Sequence, residues 1–197
     1  MNFDPIEFLE AAVQTPSQES VDAMRELLVE HLDSAGLDPA VDDAGNVIAK
    51  RGTGSPHVVL NTHIDTVPPH VPFERAEGRI RGRGSCDAKG PLAAMLAGFL
   101  AVEPTEGRVT LAVTPDEERD STGAAALDLD PDGVIVGEPT GLDACVAARG
   151  RFEGAVRLHG RSAHAADPGA GANAISALED VLAGLHDYDD VRGTAAH

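Results

Sequence analysis

Positive charge is scarce in this 197-residue chain: 15 lysines and arginines face 33 aspartates and glutamates, a formal net charge of -18. Only two of the cations are lysines, Lys50 and Lys89. Nucleic acid phosphates and anionic membrane surfaces are bound through clustered cations, so neither is expected as a partner. Cysteine is rarer still. Cys86 and Cys145 show no metal-ligand spacing and are too few to staple a chain of this size, which excludes a disulfide framework and fits a reduced, cytoplasmic setting. No apolar run approaches the roughly 18 residues of a membrane span. The N-terminal "MNFDPIEFLEAAVQ" carries acids where a signal peptide needs a basic region. Repeats and low-complexity tracts are absent too.

A hydrophobic content of 42% is ample for a packed core. Aspartate-rich stretches such as "LDLDPDG" and "HDYDDV", with arginine in place of most lysine, resemble the halophilic composition of chains from high-salt cytoplasms, where screening suppresses self-repulsion.

Apolar periodicity predicts helices over residues 4–14 and 18–35, with Met24, Leu27, Leu28, Val29 and Leu32 on one side and Gly36 as the stop. "NVIAKRG" and "HVVLNTHI" read as strands, followed by an irregular, proline-bearing loop to about Gly84. "GPLAAMLAGFLAV" reads as a buried helix with Pro91 in its first turn, "RVTLAVTP" as a strand, "STGAAALDL" as a short helix and "GVIVGEP" as another strand. Helices alternating with continuously apolar strands argue for an α/β sheet covered on both faces. The pattern changes near Arg149–Arg151, where "RFEGAVRLHG" alternates in a different manner, reads as a strand, and leads into a helix from about Ala174 to Leu185. Its stripe of Ile175, Leu178, Val181, Leu182 and Leu185 cannot be covered by one strand and one helix, so this region reads as the start of a second domain.

The chemistry gathers at strand ends. "HVVLNTHID" ends in His63 and Asp65, "RVTLAVTPDEE" in Asp116, Glu117 and Glu118, and "GVIVGE" in Glu138. Asp87 sits in the glycine-rich "GRGSCDAKG" just ahead of a helix. Ligands of open α/β sheets bind at the carboxyl ends of strands, so these groups converge on one rim. So many carboxylates repel one another and raise one another's pKa unless a cation neutralises them. One imidazole among carboxylates suits zinc or a neighbouring divalent transition metal better than calcium. His63 and Asp65, alternate residues of a strand, share a side, so Asp65 is placed to accept the second ring proton of the imidazole. Taken singly, each feature also has an ordinary reading: a surface pair, a solvated turn, the cap of a helix for Asp87, a loop residue for Glu138. Their shared position after apolar strands favours the metal.

These residues carry a resemblance. "NTHIDTVP", "GRGSCDAKGPLAAM", "PDEE", "VGEPTG" and "GRSAHAADPGAGANAI", in this order, resemble the metal-dependent amidohydrolases that include acetylornithine deacetylase, succinyl-diaminopimelate desuccinylase, aminoacylase and carboxypeptidase G. The resemblance implies a mixed, mostly parallel α/β sheet flanked by helices, a zinc-exopeptidase-like catalytic domain, with a smaller α+β lid. Residues 1–149 would be the catalytic domain, lacking its C-terminal segment, and 150–197 part of the lid through which two subunits dimerise. It further implies two zinc ions, with cobalt able to substitute. Asp87 would bridge them, His63 and Glu138 would complete one, and Glu118 would bind the other. Glu117 would be the general base, Asp65 the support of His63, and His164 the group that reaches the partner's active site to stabilise an oxyanion.

Two departures qualify that picture. Asp120 stands where the family has a glycine soon after its glutamate pair. The family's final metal-binding histidine comes after the lid, and His197 in a short polar tail is not expected to replace it. The expected activity is therefore hydrolysis of N-acyl amino acids. The alternatives are an exopeptidase acting on small peptides, a non-catalytic metal-binding remnant, and a split enzyme completed by a C-terminal polypeptide.

Overall fold

The computed structural model describes residues 3–148 and 154–194, with side chains described as far as 186. It forms two compact units, Met1–Cys145 and Val146–His197. The expected boundary at 149–151 and His197 lie outside the described residues.

In the first unit, helix α1 (Pro5–Gln14) starts where Asp4 accepts the N–H groups of Ile6 and Glu7 at 2.8 and 3.3 Å, with Pro5 in the first turn. Helix α2 (Asp22–Ser34) begins later than the periodicity predicted. Ser20 and Asp22 exchange hydrogen bonds at 2.8 and 3.2 Å, a local turn that competes with helix over residues 18–21. Gly36, at φ 79°, ends α2: its N–H bonds the Asp33 carbonyl at 2.9 Å and that of Leu37 bonds Leu32 at 3.1 Å.

Five strands, β1 (Ala40–Val41), β2 (Val47–Thr53), β3 (His57–His63), β6 (Gly107–Thr114) and β7 (Gly133–Val136), form one mixed sheet in the order β1-β2-β6-β3-β7. The pairs β1/β2 and β2/β6 are antiparallel, whereas β6, β3 and β7 run parallel. Parallel pairing aligns His63 with Thr114, and Asn61 with Val136. The carboxyl ends of these three strands thus share one rim.

Helix α3 (Lys89–Ala101) is apolar nearly all round, with one face buried and the small residues Ala94, Gly98 and Ala101 exposed on the other. Its Leu92, Leu96 and Phe99 are fully buried together with Met24, Leu28 and Leu32 of α2 and Val47, Leu111 and Val113 of the sheet. Each such side chain contributes roughly 1.5–3 kcal/mol through burial. Helix α4 (Thr122–Ala126) is a short turn after β6.

The loop expected to be irregular contains a hairpin, β4 (Glu74–Ala76) with β5 (Arg79–Arg81). Glu77 and Gly78 turn it with φ of 53° and 72°, the positive values that tight two-residue hairpins require. In the second unit, the strand expected within 151–160 is absent over its described part, residues 154–160. Among the described residues only an isolated bridge, Arg161 to Ala172, forms nearby, and a strand without a neighbour has no partner for its backbone groups. The predicted second-unit helix is present as α5 (Ala174–Thr194), with Ile175, Leu178, Leu182 and Leu185 exposed.

Candidate metal centre

His63 is the last residue of β3 and is 1% exposed. Its Nδ1 lies 3.2 Å from Asp65 Oδ1 and 3.0 Å from the Asp65 carbonyl oxygen. Both are acceptors, so the ring proton belongs on Nδ1, which leaves Nε2 as the coordinating nitrogen of the neutral ring. Nε2 faces three carboxylates: Asp87 Oδ1 at 3.2 Å, Glu117 Oε2 at 3.8 Å and Glu138 Oε1 at 4.0 Å.

Asp65 does more than hold the imidazole. Nearly buried at 4% exposure, it also accepts the backbone N–H groups of Glu117 and Glu118, each at 3.0 Å. One carboxylate therefore ties the end of β3 to the turn after β6. Burial works against its charge, but the bonds from His63, Glu118 and Glu117 prevail and its pKa lies below the ordinary value.

Asp116, the first of the three consecutive acids, is used differently. Its Oδ1 accepts Gly123 N–H at 2.8 Å and its Oδ2 accepts Thr122 N–H at 2.8 Å, capping the short α4 instead of joining the cluster. Glu138 follows Gly137, whose N–H bonds the Asn61 carbonyl at 2.8 Å and whose carbonyl accepts from Thr62 Oγ1 at 3.0 Å. These two bonds hold the end of β7 against β3.

The donor atoms of His63, Asp87 and Glu138 all lie within 4.8 Å of one another. A buried nitrogen donor with two carboxylates, oriented by a hydrogen-bonded acid behind it, fits a divalent transition metal. Glu118 stands outside this three-residue group. Its carboxyl is raised first by burial and next by the charge of Asp87; that of Glu138 is raised by burial and by Asp87, against the opposing pull of His63. For His63, burial disfavours the charged ring, yet the hydrogen bond and charge of Asp65, with Glu117 and Glu138, lift its pKa to about 9. In the metal-free protein, a proton on His63 thus offsets part of the negative charge that a cation would neutralise.

The structure brings His63, Asp65, Asp87, Glu117 and Glu138 together. His164 belongs to the second unit, where it is exposed and its Nδ1 accepts the Ala166 N–H at 3.2 Å. Sequence reasoning gave no role to Lys89, which is 1% exposed. Its Nζ donates to the carbonyls of Ala12 and Thr15 at 2.9 and 2.7 Å. Burial lowers its pKa to about 8. A signal existed: one of only two lysines in the chain opens an apolar helix, the end at which a cation is disfavoured.

Comparison with known proteins gives the family. The description Peptidase family M20/M25/M40 matches residues 59–197. A LysW-lysine hydrolase of Deinococcus radiodurans is 35% identical over 187 residues, covering 90% of this chain and 50% of that protein. A protein of Pyrobaculum aerophilum, provisionally named LysW-lysine/LysW-ornithine hydrolase, is 42% identical over 160 residues, covering 79% of this chain and 46% of its own length. The chain spans about half the length of the curated relatives it matches. Among solved structures, a Staphylococcus aureus tripeptidase shares the fold with a TM-score of 0.65 at 21% identity, over 91% of this chain and 55% of that one. A metallo-carboxypeptidase of Sulfolobus solfataricus does so with a TM-score of 0.56 at 22% identity, over 68% and 37%. With the family description covering most of the chain, and the strand ends it includes carrying the cluster, this chain belongs to peptidase family M20/M25/M40.

Proposed function

We propose that the chain houses the metal site of an amide hydrolase acting on N-acyl amino acids. The observation that carries this reading is the convergence of His63, Asp87 and Glu138 within 4.8 Å, with Glu117 3.8 Å from the same imidazole nitrogen. His63, Asp87 and Glu138 would hold one zinc ion, and Asp87 with Glu118 would contribute to a second. Bound zinc lowers the pKa of water toward about 7 and polarises a carbonyl oxygen.

The chain's own residues supply the proton handling and the orientation. Glu117, half exposed beside the cluster, takes the proton of the attacking water and delivers it to the leaving nitrogen. Asp65 holds His63 in the tautomer whose Nε2 coordinates, and fixes the backbone that carries Glu117 and Glu118. For His164 the proposal is oxyanion stabilisation across a subunit interface, as the resemblance implies. The names of the relatives, hydrolases of LysW-lysine and LysW-ornithine, support a basic amino acid as the preferred product.

The test is amine release from N-acyl-lysine, N-acyl-ornithine and Xaa-Lys dipeptides by zinc-loaded and chelated protein. Zinc-dependent release from the acyl compounds, lost on Glu117→Gln, is expected. Faster cleavage of the dipeptides would move the assignment to an exopeptidase. Two tightly bound zinc ions without any turnover would overturn the hydrolase reading.

A further inference from the structure

Lys89 is an unusual group to find in a core. It is fully buried, and among the described residues no carboxylate lies within ion-pair distance. It is the first residue of α3, where the helix dipole opposes a positive charge. Its side chain leaves that end and runs to the C-terminus of α1, whose last turn contains no basic residue of its own. There Nζ donates to the Ala12 and Thr15 carbonyls at 2.9 and 2.7 Å, at the negative pole of that helix.

The stem passes a narrow point on its way. A methyl group built on Gly84 would lie 2.9 Å from Lys89 Cδ and 2.9 Å from Thr66 Cγ2, so the stem is enclosed by the two loops. The Lys89 N–H bonds the Gly84 carbonyl at 2.9 Å, closing the loop that bears Asp87. Thr66 follows Asp65, and its N–H bonds the Ser17 carbonyl at 3.2 Å. One side chain thus crosses the end of α1, the segment after Asp65 and the loop of Asp87.

We infer that Lys89 is a positioning residue for the metal site: by anchoring the start of α3 to the end of α1, it sets where the Asp87 carboxylate meets His63 Nε2. The inference rests on the proposed metal reading. A carboxylate that is half exposed on a glycine-bearing loop has little else to hold it at the coordinating distance. The anchor removes that freedom before a cation arrives.

The test compares Co2+ binding, by its visible absorption spectrum and by chelator competition, in the wild-type chain and in Lys89→Met and Lys89→Gln. Lys89→Met keeps the apolar stem and removes every donor; Lys89→Gln keeps an amide donor for one carbonyl. Leu96→Ala, a buried cavity on the same helix, serves as the destabilised control. The expected result is a weaker and spectrally altered Co2+ complex in both lysine variants, by about tenfold or more, with Lys89→Gln the milder. The control keeps the wild-type spectrum and affinity. Should Lys89→Met not fold, Lys89→Gln against the control decides. Lysine variants that bind Co2+ with wild-type spectrum and affinity would overturn the positioning role. Absence of Co2+ binding by the wild type would instead remove the metal reading itself.

Discussion

Replacing Asp65 by asparagine tests how the site is assembled. The carboxylate serves three donors, with Oδ1 taking His63 Nδ1 and Glu117 N–H, and Oδ2 taking Glu118 N–H. Asparagine has one acceptor oxygen, so its amino group must face at least one of these donors. Hydrogen bonds to a charged group are worth about 1.5–3 kcal/mol each. Losing one and discharging the others should destabilise the metal-free protein by about 3 kcal/mol.

The pH profile should change as well. With His63 lifted to about 9, the native state holds a proton that the unfolded chain releases near 6.5. The stabilisation is fully present below 6.5 and is lost as pH rises through about 9, a difference of roughly 3 kcal/mol. Lys89, lowered to about 8, acts in the opposite direction above that pH, but equally in both proteins. The difference between the two stability curves therefore isolates His63. Urea denaturation from pH 6 to 9.5, with NMR titration of the ring, measures it. In Asp65→Asn burial dominates, His63 titrates well below 9, and the extra pH dependence disappears. A variant retaining the wild-type slope and a ring titrating near 9 would refute the role assigned to Asp65.

Other expectations follow from the same geometry. Glu117→Gln should lower kcat by about 100-fold or more while zinc content, read by atomic absorption, stays unchanged. Adding zinc at about 100 times its dissociation constant should stabilise the chain by about 2.7 kcal/mol in denaturant melts, and a chelator should reverse it. His63→Asn should abolish that response. Leu111→Ala in the buried face of β6 should cost about 2–5 kcal/mol, measured by denaturant midpoint, with no change in metal affinity.

Much of the scaffold was readable because burial is written in runs. β3 and β6 are enclosed strands, so their residues are apolar with little alternation, and α3 is apolar on every side. The hairpin β4/β5 escaped because three-residue strands such as Arg79–Arg81 are charged and half exposed, leaving no apolar signal. Residues 18–21 carry helical periodicity, but the Ser20–Asp22 turn overrides it. The second-unit strand was misread because alternation marks a strand only where a neighbour pairs with it.

The candidate site divides along the same line. Sequence alone picked out the candidate donors: one histidine, an aspartate two residues on, and carboxylates after apolar strands, a set whose mutual repulsion a cation would relieve. Spacing alone could not say which of Asp116, Glu117 and Glu118 turns inward, since consecutive residues leave a turn in directions that hydrogen bonding selects; the resemblance pointed to Glu117 and Glu118. Asp116 went to the α4 N-terminus because two N–H groups there lacked acceptors. Tertiary structure alone decided that His63 and Asp87, 24 residues apart, meet at 3.2 Å, because parallel pairing sets the rim and packing of α3 on α1 sets the loop. Distances of that kind depend on the relative placement of elements, and no local pattern of residue types encodes them.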